Sequence, residues 1–127
     1  MIVDSSALVA IMQAEPEAAE FLAAMRDVRV RASTATLLET AMVLGPEVSA
    51  RLDTLIEEVD MELVAFDSAH LAVARGAVAT YGKGRGHPAR LNFGDCMTYA
   101  LAKTLDEPLL FKGDDFAHTD ITPAIRR

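Results

Sequence analysis

Short apolar runs alternate along the 127-residue chain with longer stretches whose apolar residues recur every three or four positions. The short runs predict buried β-strands. They lie at residues 2–3, 28–31, 63–66 and 108–111. The second run alternates valine with arginine, and we place it at an edge of the sheet. Residues 121–125 are expected to add one more short strand.

The longer stretches predict amphipathic helices, and capping residues mark several of their starts. Ser5 or Ser6 is suited to cap the first helix, Ser33 or Thr34 the third, and Asp67 the fifth. The predicted helices cover residues 5–14, 16–25, 34–44, 48–59, 68–81 and 94–105, and a glycine-rich loop covers residues 82–86.

Strands that alternate with helices predict an α/β domain, with a mostly parallel sheet covered by helices on both faces. One such domain fills residues 1–127. In these folds, ligands bind beyond the carboxyl ends of the strands. Asp4 lies at the end of the first predicted strand, and Asp114 lies just past the fourth. Both acids are therefore candidates for a site at that edge of the sheet.

Three carboxylates stand in otherwise uncharged surroundings. Asp4, Glu39 and Asp95 are each the only charged side chain in a stretch of twelve or more residues. An isolated buried carboxylate is costly unless it is paired or protonated. If the three meet, a divalent cation relieves their repulsion, and their hard oxygen atoms suit Mg²⁺ or Mn²⁺.

Simpler interpretations compete with the metal site. Asp4 could cap the helix that follows it, and Asp95 stands at a helix start, where the dipole favours an acid. Glu39 lies mid-helix, where a solvated face would normally carry several charges. A fourth acid could come from the turn after the last strand, although a Gly-Asp-Asp turn is more often only a polar loop. Spacing does not separate Asp114 from Asp115. We prefer Asp114 because it is nearer the strand end.

The net charge of −7 argues against a broad basic surface that grips nucleic acid. It leaves open an acidic pocket that cations bridge to phosphate. Lys83, Arg85, His87 and Arg90 form a basic cluster that could meet phosphate, although charged loops are more often only solvated. The single cysteine, Cys96, excludes an intrachain disulfide and favours a cytoplasmic setting. No signal peptide is expected, because no basic segment precedes an apolar run at the start of the sequence. No membrane span is expected, because the longest apolar stretch, residues 7–12, is far too short.

Four segments together resemble the PIN-domain ribonucleases, and more narrowly the VapC toxins of bacterial type II toxin–antitoxin modules. They are the opening Ile-Val-Asp4-Ser-Ser-Ala, the mid-helix Glu39, the segment Gly86-His-Pro-Ala-Arg-Leu-Asn-Phe-Gly-Asp95, and Pro108-Leu-Leu-Phe-Lys-Gly-Asp114-Asp-Phe. The likeness covers essentially the whole chain, and its last two segments contain the most specific parts.

The resemblance implies a compact three-layer α/β/α sandwich and a magnesium- or manganese-dependent endoribonuclease. It implies acidic metal ligands at Asp4, Glu39, Asp95 and Asp114, with Asp115 open as the alternative fourth acid. It also implies an RNA substrate, a cognate antitoxin that inhibits the enzyme, and a homodimer. Many relatives carry threonine before the fourth acid, where this chain has Lys-Gly, and this departure leaves the choice of fourth acid open.

These observations together favour RNA hydrolysis by a metal-activated water. The alternative is a catalytically idle partner-binding module, in which the acids hold a structural ion and the helices over residues 16–25 and 48–59 offer apolar surface. Phosphoryl transfer of the aspartyl-phosphatase or receiver type ranks lower. An aspartyl phosphatase needs a second acid two residues after Asp4, where this chain has Ser6. A receiver domain needs an acidic pair at the first strand, which the chain also lacks.

Overall fold

A computed structural model describes residues 1–126. Within that range, the strands are β1 (Ile2–Val3), β2 (Arg31–Ser33), β3 (Glu62–Val64) and β4 (Leu109–Leu110). The helices are α1 (Ser5–Met12), α2 (Ala18–Ala24), α3 (Thr34–Leu44), α4 (Pro46–Glu58), α5 (Ser68–Tyr81), α6 (Phe93–Leu105) and a 3₁₀ helix (Asp115–His118). The strands form one parallel sheet in the order β3-β2-β1-β4.

Neighbouring residues in β1 and β4 point to opposite faces of the sheet, as the period of a strand requires. Ile2 and Leu109 pack with α5 and α6 on one face. Val3 and Leu110 pack with α1, α2 and α4 on the other face. All four side chains are buried. The protein is therefore a three-layer α/β/α sandwich, which confirms the predicted fold class.

The prediction for the second strand is wrong in both position and environment. β2 begins at Arg31 and lies between β1 and β3, away from the sheet edges. Val28 stands outside the strand and is 46% exposed, whereas Val30 is fully buried. Arg31 forms ion pairs with Glu62 and Glu107. Of the alternating residues only Arg31 belongs to the strand, and the next two residues, Ala32 and Ser33, are buried as in an inner strand.

The predicted helices are confirmed, with their ends displaced by no more than two residues. Ser33 and Asp67 cap their helices as expected, because each side chain accepts a backbone N–H of the first turn. The first helix is the exception, since its N-cap is Asp4 rather than Ser5 or Ser6. No helix within residues 1–126 is both long enough and apolar enough to cross a membrane.

The predicted strand over residues 121–125 is present only as a single bridge. Leu109 pairs in parallel with Pro123. The N–H of Leu109 donates to the carbonyl of Thr122 at 2.9 Å, and the N–H of Ala124 donates to the carbonyl of Leu109 at 2.8 Å. The bridge covers one end of β4 and does not extend along it.

One edge of the sheet gathers the carboxyl ends of all four strands. Asp4 follows β1 there, and its N–H donates to the carbonyl of Leu110 at 2.9 Å. The chain after β4 stays at this edge, because the N–H of Lys112 donates to Ser6 Oγ at 3.0 Å. Helix α6 also reaches it, since Thr98 contacts Asp4. Acids from distant parts of the chain thus have a common place to meet.

Candidate metal centre

Asp4 is buried, with an exposure of 2%, and neutral donors surround its carboxylate. Oδ2 accepts hydrogen bonds from the backbone N–H of Ser6 at 3.1 Å and from Ser6 Oγ at 2.6 Å. Oδ1 accepts from Thr98 Oγ1 at 2.7 Å. These donors fix the orientation of the carboxylate but leave its negative charge uncompensated. Asp4 therefore caps α1, as one interpretation of the sequence expected. It also lies close enough to Asp95 for its charge to raise the pKa of that residue.

A chain of hydroxyl groups supports Asp4 from the side of α3. Thr98 gives its single O–H to Asp4, so Thr36 Oγ1 must be the donor in the 3.0 Å contact between the two threonines. Thr40 Oγ1 in turn donates to the carbonyl of Thr36 at 2.8 Å. Sequence reasoning missed these residues. The available signal was a set of polar threonines on helix faces that are otherwise apolar.

Glu39, on α3, reaches the start of α6. Its Oε1 accepts a hydrogen bond from Ser5 Oγ at 2.7 Å. A Cβ atom on Gly94 would lie 1.8 Å from Glu39 Oε2, so the carboxylate occupies the space that any larger residue at that position would need. Glycine therefore permits the close approach of an α3 carboxylate to the α6 backbone, immediately beside Asp95.

Asp95 shares a capping box with Asn92. Its N–H donates to Asn92 Oδ1 at 2.9 Å, and its Oδ2 accepts the N–H of Asn92 at 3.0 Å. Burial is the largest cause that raises the pKa of the Asp95 carboxyl, and the hydrogen bond from Asn92 opposes it. The charges of Asp4, Asp115 and Glu39 raise the pKa further, to about 7. These four acids therefore share one electrostatic environment.

The two candidates for the fourth acid differ in their surroundings. Asp115 begins the 3₁₀ helix, and its charge is one of the causes of the raised Asp95 pKa. Asp114 is not among the largest of those causes. It lines a cavity of about 480 Å³ together with Glu17 of the α2 N-terminus and Leu110 of β4. Of the two, Asp115 is the acid whose charge is felt more strongly at Asp95.

The acids do not form a ready-made ligand cage. Within residues 1–126, no three acidic, histidine or cysteine side chains converge on one point as they stand. The carboxylates of Asp4, Glu39 and Asp95 instead accept hydrogen bonds from nearby donors. The donor set still fits a hard divalent cation, because none of these acids has a basic partner in the described chain. Glu39 Oε2 and Asp95 Oδ1 also accept no hydrogen bond there.

Comparison with known proteins identifies the family. Residues 1–121 match the PIN domain. The chain belongs to the PIN-domain family. It is 46% identical over 132 residues to Ribonuclease VapC28 of Mycobacterium tuberculosis, an alignment that covers 100% of this chain and 99% of the relative. It is 48% identical over 126 residues to Ribonuclease VapC30 of the same species, with 95% of each chain covered. The predicted resemblance to PIN-domain VapC proteins is confirmed.

A solved PIN-domain structure supports the fold independently. The crystal structure of VapC20 of Mycobacterium tuberculosis, described as a sarcin–ricin loop cleaving toxin, superposes with a TM-score of 0.78. The match covers 99% of this chain and 98% of that one, at 18% sequence identity. At that identity the likeness shows the shared PIN fold, and the RNA target named for VapC20 remains a property of VapC20.

Proposed function

We propose that this PIN-domain protein is a divalent-metal-dependent endoribonuclease and the toxin of a type II toxin–antitoxin module. The observation that carries the proposal is the similarity of nearly the whole chain to relatives named as VapC ribonucleases, and the surroundings of Asp95 agree with it. Its pKa is raised to about 7 by burial and by the charges of Asp4, Asp115 and Glu39. No basic side chain in residues 1–126 pairs with this cluster. A hard cation is the partner that such a cluster lacks.

We assign Asp4, Glu39, Asp95 and Asp115 as the acids that hold Mg²⁺ or Mn²⁺. Asp114, the fourth acid preferred from the sequence, ranks behind Asp115 because its charge is not among the largest causes of the raised Asp95 pKa. When bound, the ion lowers the pKa of a coordinated water and stabilises negative charge on the scissile phosphate.

The role of the surrounding residues is orientation. Thr98 and Ser6 hold the two oxygens of Asp4, and Ser5 holds one oxygen of Glu39. Groups of this kind, behind the ligands themselves, commonly change metal affinity 10- to 100-fold when they are removed. We class them as positioning residues, because they act on substrate only through the carboxylates.

RNA is the proposed substrate because the VapC relatives are named as ribonucleases. A protein with a net charge of −7 would repel RNA unless bound cations neutralise the acid cluster at the place where the phosphate binds. The same relationship supports a cognate antitoxin, a homodimer and a cytoplasmic setting. On α3, Leu38 and Met42 are 65% and 78% exposed, and exposed apolar surface of this kind is often covered by a protein partner.

A cleavage assay tests the function directly. Purified protein is incubated with labelled RNA in EDTA, and then with Mg²⁺ or Mn²⁺ restored. We expect cleavage only with metal, and its loss in Asp95→Asn. Asp53→Asn, which removes an exposed acid of α4, is the matched control and should retain full activity. Absence of cleavage by wild type, with Mn²⁺ still bound, would favour the idle partner-binding module instead.

A further inference from the structure

Charge is distributed very unevenly along this acidic chain. Residues 68–94 contain four basic side chains and no acidic one, so they carry +4. Because the whole chain carries −7, the remaining residues carry −11. The basic side chains are Arg75, Lys83, Arg85 and Arg90. This stretch runs along α5, through the loop that follows, and ends immediately before Asp95.

Three of these basic side chains are exposed and have no acidic partner. Lys83, Arg85 and Arg90 lie in the loop between α5 and α6, and none forms an ion pair within residues 1–126. Other basic residues of the same chain are paired with carboxylates: Arg29, Arg31, Lys103 and Lys112. Unpaired cations in a protein with excess acid are available to an external anion.

The loop that carries these cations is anchored at its base. The N–H of Lys83 donates to the carbonyl of Leu91 at 2.9 Å, and the N–H of Leu91 donates to the carbonyl of Tyr81 at 2.8 Å. Leu91 and Ala89 are buried, at 2% and 0% exposure. The ring of His87 packs edge-on against Tyr81, with centroids 4.9 Å apart. Residues 83–90, here named the basic arm, therefore have a fixed attachment to the start of α6.

An exposed aromatic residue stands between the basic arm and the acids. Phe93 is the first residue of α6 and is 82% exposed. It is followed directly by Gly94, against which Glu39 lies, and then by Asp95. A large ring so exposed contributes little to the core, whereas exposed rings beside cations are the usual platform for unpaired bases.

We propose that the basic arm and Phe93 form the docking site for single-stranded RNA beside the cleavage centre. Lys83, Arg85 and Arg90 contact phosphates of the strand, and Phe93 stacks on an unpaired base next to the cut. Arg90 and Asp95 are five residues apart, which limits their Cα separation to about 18 Å even for a fully extended chain. The inference rests on the proposed function for its substrate class.

The salt dependence of RNA binding tests the basic arm. The probe is a fluorescein-labelled random-sequence single-stranded RNA 20-mer, bound to Asp95→Asn protein at constant Mg²⁺. Each phosphate contact contributes about 0.7 to the slope of log K against log salt for single strands. Replacing Lys83, Arg85 and Arg90 by Gln should therefore reduce the slope by about two.

A second triple variant supplies the matched control. Arg26, Arg51 and Arg126 are also exposed, so replacing them by Gln removes the same charge from other surfaces. This control should keep the parent slope within about 0.5. Equal slopes in the two triple variants would overturn the role of the arm, because the effect would then depend on net charge alone.

Substitutions of Phe93 separate base stacking from a protein interface. Stacking predicts that Phe93→Trp binds the RNA probe as well as the parent, whereas Phe93→Leu weakens binding roughly fivefold or more. A surface that serves only a protein partner predicts no change in RNA affinity for either variant, and this result would overturn the stacking role.

RNA binding is measured separately from RNA cleavage, so the two proposals can fail independently. If wild type cleaves RNA but the basic-arm variants bind the probe like the parent, only the docking site is refuted. If the basic-arm variants lose binding as expected but wild type does not cleave RNA, only the proposed function is refuted.

Discussion

The carboxylate of Glu39 occupies the space beside Gly94 that a larger residue would need. A Cβ atom at position 94 would lie 1.8 Å from Oε2 of Glu39, far inside any normal contact. The glycine one position before Asp95 thus permits an acid from α3 to lie next to an acid of α6. A methyl group added at position 94 should therefore displace the Glu39 carboxylate.

Gly94→Ala should damage the metal centre more than the fold. The methyl group displaces the flexible end of Glu39, which has room to move, and alanine favours a helix more than glycine does. We expect metal affinity to fall roughly tenfold, as for loss of a positioning contact, with unfolding free energy changed by less than about 1 kcal/mol. Mn²⁺ titration by calorimetry, together with urea unfolding, measures both quantities.

Gly76→Ala is the matched control for that experiment. Gly76 also lies inside a helix, but no atom stands within 4 Å of a Cβ placed on it. This variant should be more stable by about 0.5–1 kcal/mol with unchanged Mn²⁺ affinity. If both alanine variants bound Mn²⁺ like wild type, the contact between Glu39 and Gly94 would have no role in the site.

The sequence predicted the layered fold and singled out three candidate acids, and the reason for each can be stated. Asp4, Glu39 and Asp95 each lack charged neighbours in sequence, and this isolation signals a buried carboxylate. The alternation of strands with helices then places the carboxyl ends of the strands at one edge. The lack of charged neighbours around an acid is a local feature, and the alternation of strands with helices is a periodic one. Both can therefore be read from a single sequence.

The features that the sequence did not predict depend on tertiary contacts. The position of β2 follows from the pairing of Arg31 with Ile2 and Glu62, which local alternation does not encode. The environments of Asp114 and Asp115 differ because the 3₁₀ helix begins between them. The hydroxyl chain from α3 to Asp4 likewise requires knowing which helix faces meet.

Thr98→Val should weaken both the fold and the metal centre. The substitution removes the donor to Asp4 Oδ1 and leaves the Thr36 hydroxyl without its acceptor in a buried location. We expect a loss of about 1–3 kcal/mol in unfolding free energy. Metal affinity should fall about 10- to 100-fold, because Asp4 loses one of its orienting contacts.

Thr80→Val provides the comparison, since Thr80 lies exposed on α5. Its unfolding free energy should stay within about 0.5 kcal/mol of wild type. Urea unfolding and Mn²⁺ binding are measured for both variants. Equal behaviour of the two threonine variants would refute the supporting role of the hydroxyl chain.

The raised pKa of Asp95 predicts a pH dependence of stability in the metal-free protein. Its pKa is about 7 in the folded chain, against an ordinary value of 3.8. Between these values the folded state holds a proton that the unfolded state has released, so stability falls as the pH rises. Asp95→Asn lacks this titration, and its amide oxygen is still able to accept the N–H of Asn92.

The stability of Asp95→Asn relative to wild type should therefore increase from pH 5 to pH 7 and then level off. Urea unfolding in EDTA at pH 5, 6, 7 and 8 measures the difference. Saturating Mn²⁺ should reverse the order at pH 8, because only wild type offers the ionised ligand. A difference that is constant from pH 5 to pH 8 would show that Asp95 titrates at an ordinary pKa.

The identity of the fourth acid is open to a direct electrostatic test. The charge of Asp115 is among the largest causes of the raised Asp95 pKa, and that of Asp114 is not. Asp115→Asn should therefore lower the Asp95 pKa, because it removes one repelling charge. Asp114→Asn removes an equal charge one residue away and should lower that pKa by less. Carbon-13 NMR titration of aspartate-labelled, metal-free protein reads the pKa in both variants.

Metal binding should follow the same order if Asp115 is a ligand. Mn²⁺ affinity should fall at least tenfold in Asp115→Asn and much less in Asp114→Asn, since charge and donor oxygen are lost together only at Asp115. The reverse order in both measurements would return the fourth position to Asp114.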